Sequence, residues 1–359
     1  MAFLCLAVLF LSACGGGGDS SSSSAESTTT EAAETTAGGG EEGGAIDGEG
    51  KKIAFLGFGF GNALSDAATK AAREEGSKLN VSVQAFDGKF DPGNQVAQCQ
   101  DAVASGQFSA IVVSAIVGPM LVPCAAQAKE AGIPVIAWGD AIGTSSTSKT
   151  PTEPGVVANV FTPISLLFSG VGAAITSACE GIEPCRIVNL NALELLPDVS
   201  KVLKEELEQL ESENPQIEVV EEPEAGLEVS TGQAAMQDIL AKGTEFNVVI
   251  SPGTQAMAGA LIALKSAGKT LSATGEGIRV LASGATTQQM EGVESGELWG
   301  AMITLPVTEG RTSIEVATKA ALGMSFPKST LAYEVEGLPT ILSTENKSEW
   351  SGFKGQWSE

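Results

Sequence analysis

A set of residues placed just past short apolar runs carries side chains suited to gripping a small molecule without reacting with it. They are Phe58, Phe60 and Asn62, then Trp138 and Asp140, then Phe161, then Thr254 and Gln255, then Ser283, and last Thr304. Aromatic faces cover the apolar face of a ring, while carboxylate, amide and hydroxyl groups exchange hydrogen bonds with its hydroxyls. Reactive chemistry is poorly supplied. The chain has no histidine, which removes Ser-His-Asp and Cys-His catalysis and imidazole metal sites together. Carboxylate or lysine chemistry stays open, but no pair of acids stands at a motif spacing, and no catalytic residue, metal or cofactor is assigned. Gly57 and Gly59 begin a dinucleotide-binding pattern, yet Asn62 stands where its third glycine or alanine belongs and the acidic Asp87 comes later than usual. Those glycines read better as places where the backbone approaches a ligand closely.

The elements that position these residues centre on Ser109 to Asp140. Two continuous apolar runs, Ala110-Ile-Val-Val113 and Ile133-Pro-Val-Ile136, flank a segment in which Leu121, Ala125, Ala128 and Ala131 recur at helical spacing before Gly132. Runs so short and so apolar predict parallel strands buried on both faces, joined by a crossover helix. Trp138 and Asp140 follow the second of them, at the strand end where open α/β sheets bind small molecules. Upstream, strands over residues 52–57 and 81–86 alternate with helices through Ala67 and Ala71 and through Val96, Cys99 and Val103. Downstream, the polar stretch 143–155 precedes a strand over 156–160, expected to open a second lobe, and a helix over 163–177. Strands are then predicted over 185–190, 217–220, 247–250, 278–281 and 300–304, with helices over 198–210, 231–241, 255–267, 286–293 and 307–322.

At 359 residues the chain can bury two ordinary cores. Its net charge of −24 sets it against nucleic acid and anionic membrane surfaces as electrostatic partners, and an acidic surface of this kind serves solubility. The first residues differ in character. Met1 to Ala13 is apolar but shorter than the roughly 20 residues a transmembrane helix needs, and it looks like the hydrophobic part of a secretion signal. Leu11-Ser12-Ala13-Cys14 resembles the bacterial lipobox, in which the cysteine is lipidated and becomes the first residue of the mature chain. No Lys or Arg precedes the apolar run, so the true signal is expected to start further upstream. Residues 14–50, rich in Gly, Ser, Thr and Glu, cannot offset their ordering entropy and are expected to form a flexible tether.

Lys52-Ile-Ala-Phe-Leu56, Gln95 with Cys99-Gln-Asp-Ala-Val103, Ala110-Ile-Val-Val113 and Ala131-Gly-Ile-Pro-Val-Ile136 together resemble the ribose-type periplasmic binding proteins, the solute receptors of ABC importers. The likeness runs from Lys51 to about Ile341. It implies an α/β fold of two doubly wound parallel-sheet lobes joined by a three-segment hinge, with residues 51–157 and 305–332 in one lobe and 158–304 and 333–359 in the other. A ligand would lie in the cleft between them, and closure over it would be read by permease subunits of the importer. A sensory receptor of the same fold, signalling to a membrane kinase or chemoreceptor, is the alternative. A lactose-repressor-like regulator would need a DNA-binding head where the lipobox and tether stand. The expected protein is a monomer, extracytoplasmic and lipid-anchored to the bacterial cell membrane through Cys14.

The chain departs from that family at the cleft. The family places Asp-Arg after its fourth strand, where Gly139-Asp140 stand here; Asn-Asp where Gly253-Thr254 stand; Asp at Ser283; and Gln at Thr304. It also offers an Arg early in a helix where Leu196-Pro-Asp-Val-Ser200 has none. Smaller residues and missing cations point to a ligand that is larger than a pentose, partly apolar and neutral, with sugars included. Four cysteines remain once Cys5 and Cys14 are set aside, and three pairings are possible. Cys179 ends a helix and a strand opens at Cys185 after five intervening residues, and right-handed crossovers put the helices of Cys99 and Cys124 on one face, so 99–124 and 179–185 are expected.

Overall fold

A computed structural model describes residues 46–358 apart from 146, 169, 194 and 195, and 164 and 165 without their side chains. The secretion signal, the lipobox with Cys14 and nearly all of the tether lie outside the described residues. In chain order the elements are β1 (Lys52–Gly57), α1 (Ala63–Lys78), β2 (Ser82–Asp87), α2 (Pro92–Ala104), β3 (Ala110–Val113), α3 (Val122–Glu130), β4 (Val135–Trp138) and β5 (Val156–Val160). Then come α4 (Ile164–Leu167), α5 (Val171–Ala178), β6 (Cys185–Asn189), α6 (Pro197–Glu213), β7 (Ile217–Glu221), α7 (Val229–Lys242), β8 (Val248–Ile250) and α8 (Thr254–Ser266). The chain continues through β9 (Arg279–Gly284), α9 (Thr287–Ser295), β10 (Gly300–Ile303), α10 (Pro306–Ala321), β11 (Ser329–Thr330), α11 (Ala332–Glu336) and β12 (Ile341–Ser343).

These strands form two six-stranded sheets, ordered β11-β5-β4-β3-β1-β2 and β12-β10-β9-β8-β6-β7. Every pairing is parallel except that of β10 with β12. Burial on both faces explains why the inner strands are continuously apolar. In the first sheet Ala54, Leu56, Ile111 and Val113 pack with Cys99, Cys124 and the other buried residues of α2 and α3. Their neighbours Ile53, Phe55, Ala110 and Val112 face the opposite way, onto Ala68 and Ala72 of α1 and Ile314 and Ala317 of α10. The strand period of two thus divides one apolar run between two cores. In the second sheet Ile187, Val248 and Ile250 join α5 and α6, while Val188, Val249 and Val280 join α7, α8 and α9.

Both expected disulfides are present, Cys99–Cys124 and Cys179–Cys185, with Cα separations of 6.2 and 5.6 Å. The chain passes between the two sheets three times: after β5, between β10 and α10, and between β11 and β12. Two details differ from the sequence reading. β5 was expected to open the second lobe, but it pairs with β4 and β11 in the first sheet, so that sheet runs to Val160. The helix expected over 163–177 is two short helices, α4 and α5, with Phe168 buried and Gly170 as the N-cap of α5.

Helix α10 is seated by contact with α1. A Cβ on Gly310 would lie 2.3 Å from the Ala68 carbonyl oxygen, so only glycine allows the two backbones to approach this closely. Pro306 at the start of α10 fits the first helical turn, where no N–H partner is required. The result is a rigid helix leaving the crossing between lobes, with Glu309 in its first turn.

Candidate ligand-binding site

Each sheet reverses its strand order once among its parallel strands, between β1 and β3 and between β6 and β8. Ligands of open α/β sheets bind outside the carboxyl ends of strands at such switch points. At the first, Gln95 is fully enclosed and ties the two strand ends together. Its Nε2 donates to the Ser114 and Gly57 carbonyls at 2.8 and 3.3 Å, and its Oε1 accepts from the Ile116 N–H at 2.9 Å. Asp87 fixes the loop after β1, accepting from the N–H groups of Phe60 and Lys89 at 2.9 and 3.0 Å. That carboxylate serves the backbone, which agrees with setting aside the dinucleotide reading. Asn62 is the N-cap of α1, its Oδ1 accepting from Leu64 and Ser65 at 3.1 and 3.2 Å, so its oxygen is committed to the helix start.

Aromatic residues line this edge in layers. Trp138 is fully buried, stacked on Phe55 with ring centroids 5.2 Å apart, and Phe58 lies over it at 6.2 Å. Its ring is therefore packed into the wall of the site, and its buried Nε1 has no hydrogen-bond partner among the described residues. Phe161 is also buried, with Cys99, Cys124 and Ile142 in the core under α2 and α3. The accessible rings are Phe60 and Phe90, and Phe90 meets Phe58 at 5.6 Å. Phe90 escaped the sequence reading because it lies past β2 in a turn with no periodicity.

Acidic groups collect at the end of β4 and the start of α10. Gly139 takes φ +66°, and a Cβ there would lie 2.8 Å from the Ser114 hydroxyl and 3.9 Å from Glu309 Oε2. Ser114 and Glu309 thus converge on one side of Gly139, next to Asp140. Asp140 keeps surface open to solvent, yet it sits at depth, where protein displaces much of the surrounding water. This burial, together with repulsion from Asp198 at the start of α6, pushes its carboxyl up to about 6. Burial, reinforced by the Asp140 charge and partly opposed by the Thr162 backbone N–H, pushes Glu309 up to about 8. Among the described residues no salt bridge neutralises any of these three acids. Nor is any group of three or more Cys, Asp or Glu there placed to hold a metal ion. Glu309 was missed because nothing in Leu305-Pro306-Val-Thr-Glu309 marks it as other than a helix start.

The second switch point is built from small polar groups. Ser251 is fully buried and donates to the Leu190 carbonyl at 2.9 Å, and Gly253 N–H donates back to its hydroxyl at 3.1 Å. Asn189 donates to Glu222 at 3.1 Å, while its buried Oδ1 has no hydrogen-bond partner. Thr254 and Gln255 open α8, Thr254 buried and Gln255 half-buried, and Ser283 is enclosed near the end of β9. Thr304 is engaged by the carboxyl-terminal segment. Its hydroxyl donates to the Gly284 carbonyl at 2.9 Å and accepts from Trp357 Nε1 at 3.1 Å. The carboxyl-terminal segment thus straps the ends of β9 and β10, and Gln356 extends the strap to Thr308 of α10 at 2.6 Å. Thr304, expected among the ligand contacts, is held in this strap.

A sequence profile described as the periplasmic binding protein domain matches residues 53–163 and 186–325, most of both sheets and their helices. The chain belongs to that family. Its members bind solutes and are not enzymes. A curated relative of this periplasmic binding protein in Rhizobium meliloti, named for rhizopine binding, is 25% identical over 249 residues, 68% of this chain and 75% of the relative. An Actinobacillus succinogenes solute-binding protein holding D-allose is similar in structure, with a TM-score of 0.69 and 18% identity, covering 84% of this chain and 100% of the other. One from Bacillus halodurans holding myo-inositol has a TM-score of 0.66 and 21% identity, covering 86% and 98%. These likenesses establish the type I periplasmic binding protein fold.

Proposed function

We propose that this chain is an extracytoplasmic receptor that captures a sugar or polyol between its two lobes and delivers it to the permease of an ABC importer. The observation that carries the reading is the pairing of two like-ordered sheets, each with polar groups at its switch point, joined by three crossings that let the lobes rotate about them. The solutes of the structural relatives, D-allose and myo-inositol, are polyhydroxylated. Hydroxyl, amide and carboxyl groups at the strand ends here suit such molecules, with Phe60 and Phe90 available for an apolar ring face. Asp140, Asp198 and Glu309 disfavour an anionic solute.

Lipid attachment at Cys14 and a flexible tether from 14 to 50 would hold the receptor at the membrane surface beside its permease. Replacing Cys14 with serine should release the protein from the membrane fraction into the soluble one, and retention there would contradict the anchor. A thermal-shift screen over pentoses, hexoses, cyclitols and linear polyols tests the binding function. A true solute at 100 times its dissociation constant should add about 2.7 kcal/mol of stability. A screen without a shift from any member would remove the sugar or polyol reading.

A further inference from the structure

The acids of the cleft point beyond a neutral solute. Asp140 follows β4 of the first sheet, Glu309 stands in the first turn of α10, and Asp198 stands in the first turn of α6 on the second sheet. Glu309 also faces Thr162, in the first crossing between the lobes. No lysine or arginine pairs with any of the three among the described residues. A second observation is independent of the acids. Ser114 is 1% exposed, its hydroxyl has no hydrogen-bond partner, and it points at the side of Gly139 where Glu309 Oε2 also arrives. A buried hydroxyl left unsatisfied beside unpaired carboxylates is a place made to be completed by a donor.

We infer that the Asp140, Glu309 and Ser114 wall receives a cationic group, a protonated amine carried on an otherwise hydroxylated solute. An ammonium has three donors and no acceptor, which matches a wall made of carboxylates and one hydroxyl. It also explains how binding favours closure. Asp140 and Asp198 lie on different lobes and repel, so the empty cleft resists their approach; a cation between them turns that repulsion into attraction. A solute shifts a conformational equilibrium only through such differential interaction. The neutral ligand expected from the absence of cationic side chains is thereby replaced by one that supplies the missing cation itself. The inference rests on the sugar or polyol reading above and narrows it.

The groups acting on this wall set a proton linkage. Glu309 and Asp140 hold protons more tightly than ordinary carboxyls in the empty cleft, under the influence of each other and of Asp198, with the Thr162 N–H opposing at Glu309. A neighbouring ammonium favours their charged forms, so its binding near neutral pH releases protons. Calorimetric titration of the full chain with matched pairs, such as glucose with glucosamine and inositol with an aminodeoxyinositol, tests this. The amine of the preferred skeleton should bind on the order of tenfold or more tightly than its parent. Titrations in buffers of different ionisation enthalpy should show proton release for the amine alone, and Glu309→Gln should reduce that release. Asp140→Asn should bring the pair close to parity. A parent that binds as well as its amine, or a preference unchanged in both variants, overturns the inference and leaves the sugar or polyol reading standing. If no member of any pair binds, that reading falls and the inference falls with it.

Discussion

Glu309 and Asp140 bind a proton more tightly in the folded chain than ordinary glutamate and aspartate do. Their stabilising contribution is therefore full below the ordinary carboxylate range and is lost as pH rises through about 6 for Asp140 and about 8 for Glu309. The unliganded chain should melt at a lower temperature at about pH 9 than at about pH 6, and Glu309→Gln should flatten the upper part of that slope. Melting temperatures of both proteins across this range decide it, and parallel slopes would contradict the assignment. Trp138 makes a different residue-scale prediction. Fully buried between Phe55 and Phe58, it should cost about 3–5 kcal/mol when replaced by alanine, read as a denaturation midpoint. The sequence located Trp138, Asp140 and Phe60 correctly at strand ends, since an apolar run shows where a strand stops. It could not say which way a ring at that end turns, because Trp138 and Phe161 answer to cores assembled from distant helices.

At the scale of elements, the α1–α10 contact and the carboxyl-terminal strap decide how the crossings are held. Gly310→Val would force a side chain into the Ala68 backbone and should destabilise by several kcal/mol or shift α10, moving Glu309 with it. Removing the residues after Phe353 would leave the Gly284 carbonyl and Thr304 without the Trp357 indole. That truncation should cost about 0.5–1.5 kcal/mol for the lost indole hydrogen bond, checked by denaturant unfolding. Most elements were legible in the sequence: the buried strands from continuous apolar runs, the helices from alanine and leucine spacing, the Cys99–Cys124 disulfide from crossover handedness and the Cys179–Cys185 disulfide from the short link between a helix end and a strand start. The strap was not, because Gln356 and Trp357 sit in an aperiodic tail whose partners lie dozens of residues away. The lobe boundary was misread for a related reason. Val156–Val160 is apolar enough for either sheet, and only pairing with β4 and β11 assigns it to the first.

For the whole molecule, two cores are folded from interleaved segments, and the chain crosses between them three times. In the proposed mechanism Asp140 and Asp198 act on each other from opposing lobes, and a solute that bridges them favours the closed form. Closure is the central claim, because a permease can read it and a passive sink would not need it. Small-angle scattering of the full chain, without and with the saturating solute found by thermal shift, measures it directly. The account predicts a smaller radius of gyration and a shorter maximum dimension when solute is bound. Saturation of the site with unchanged scattering would contradict it.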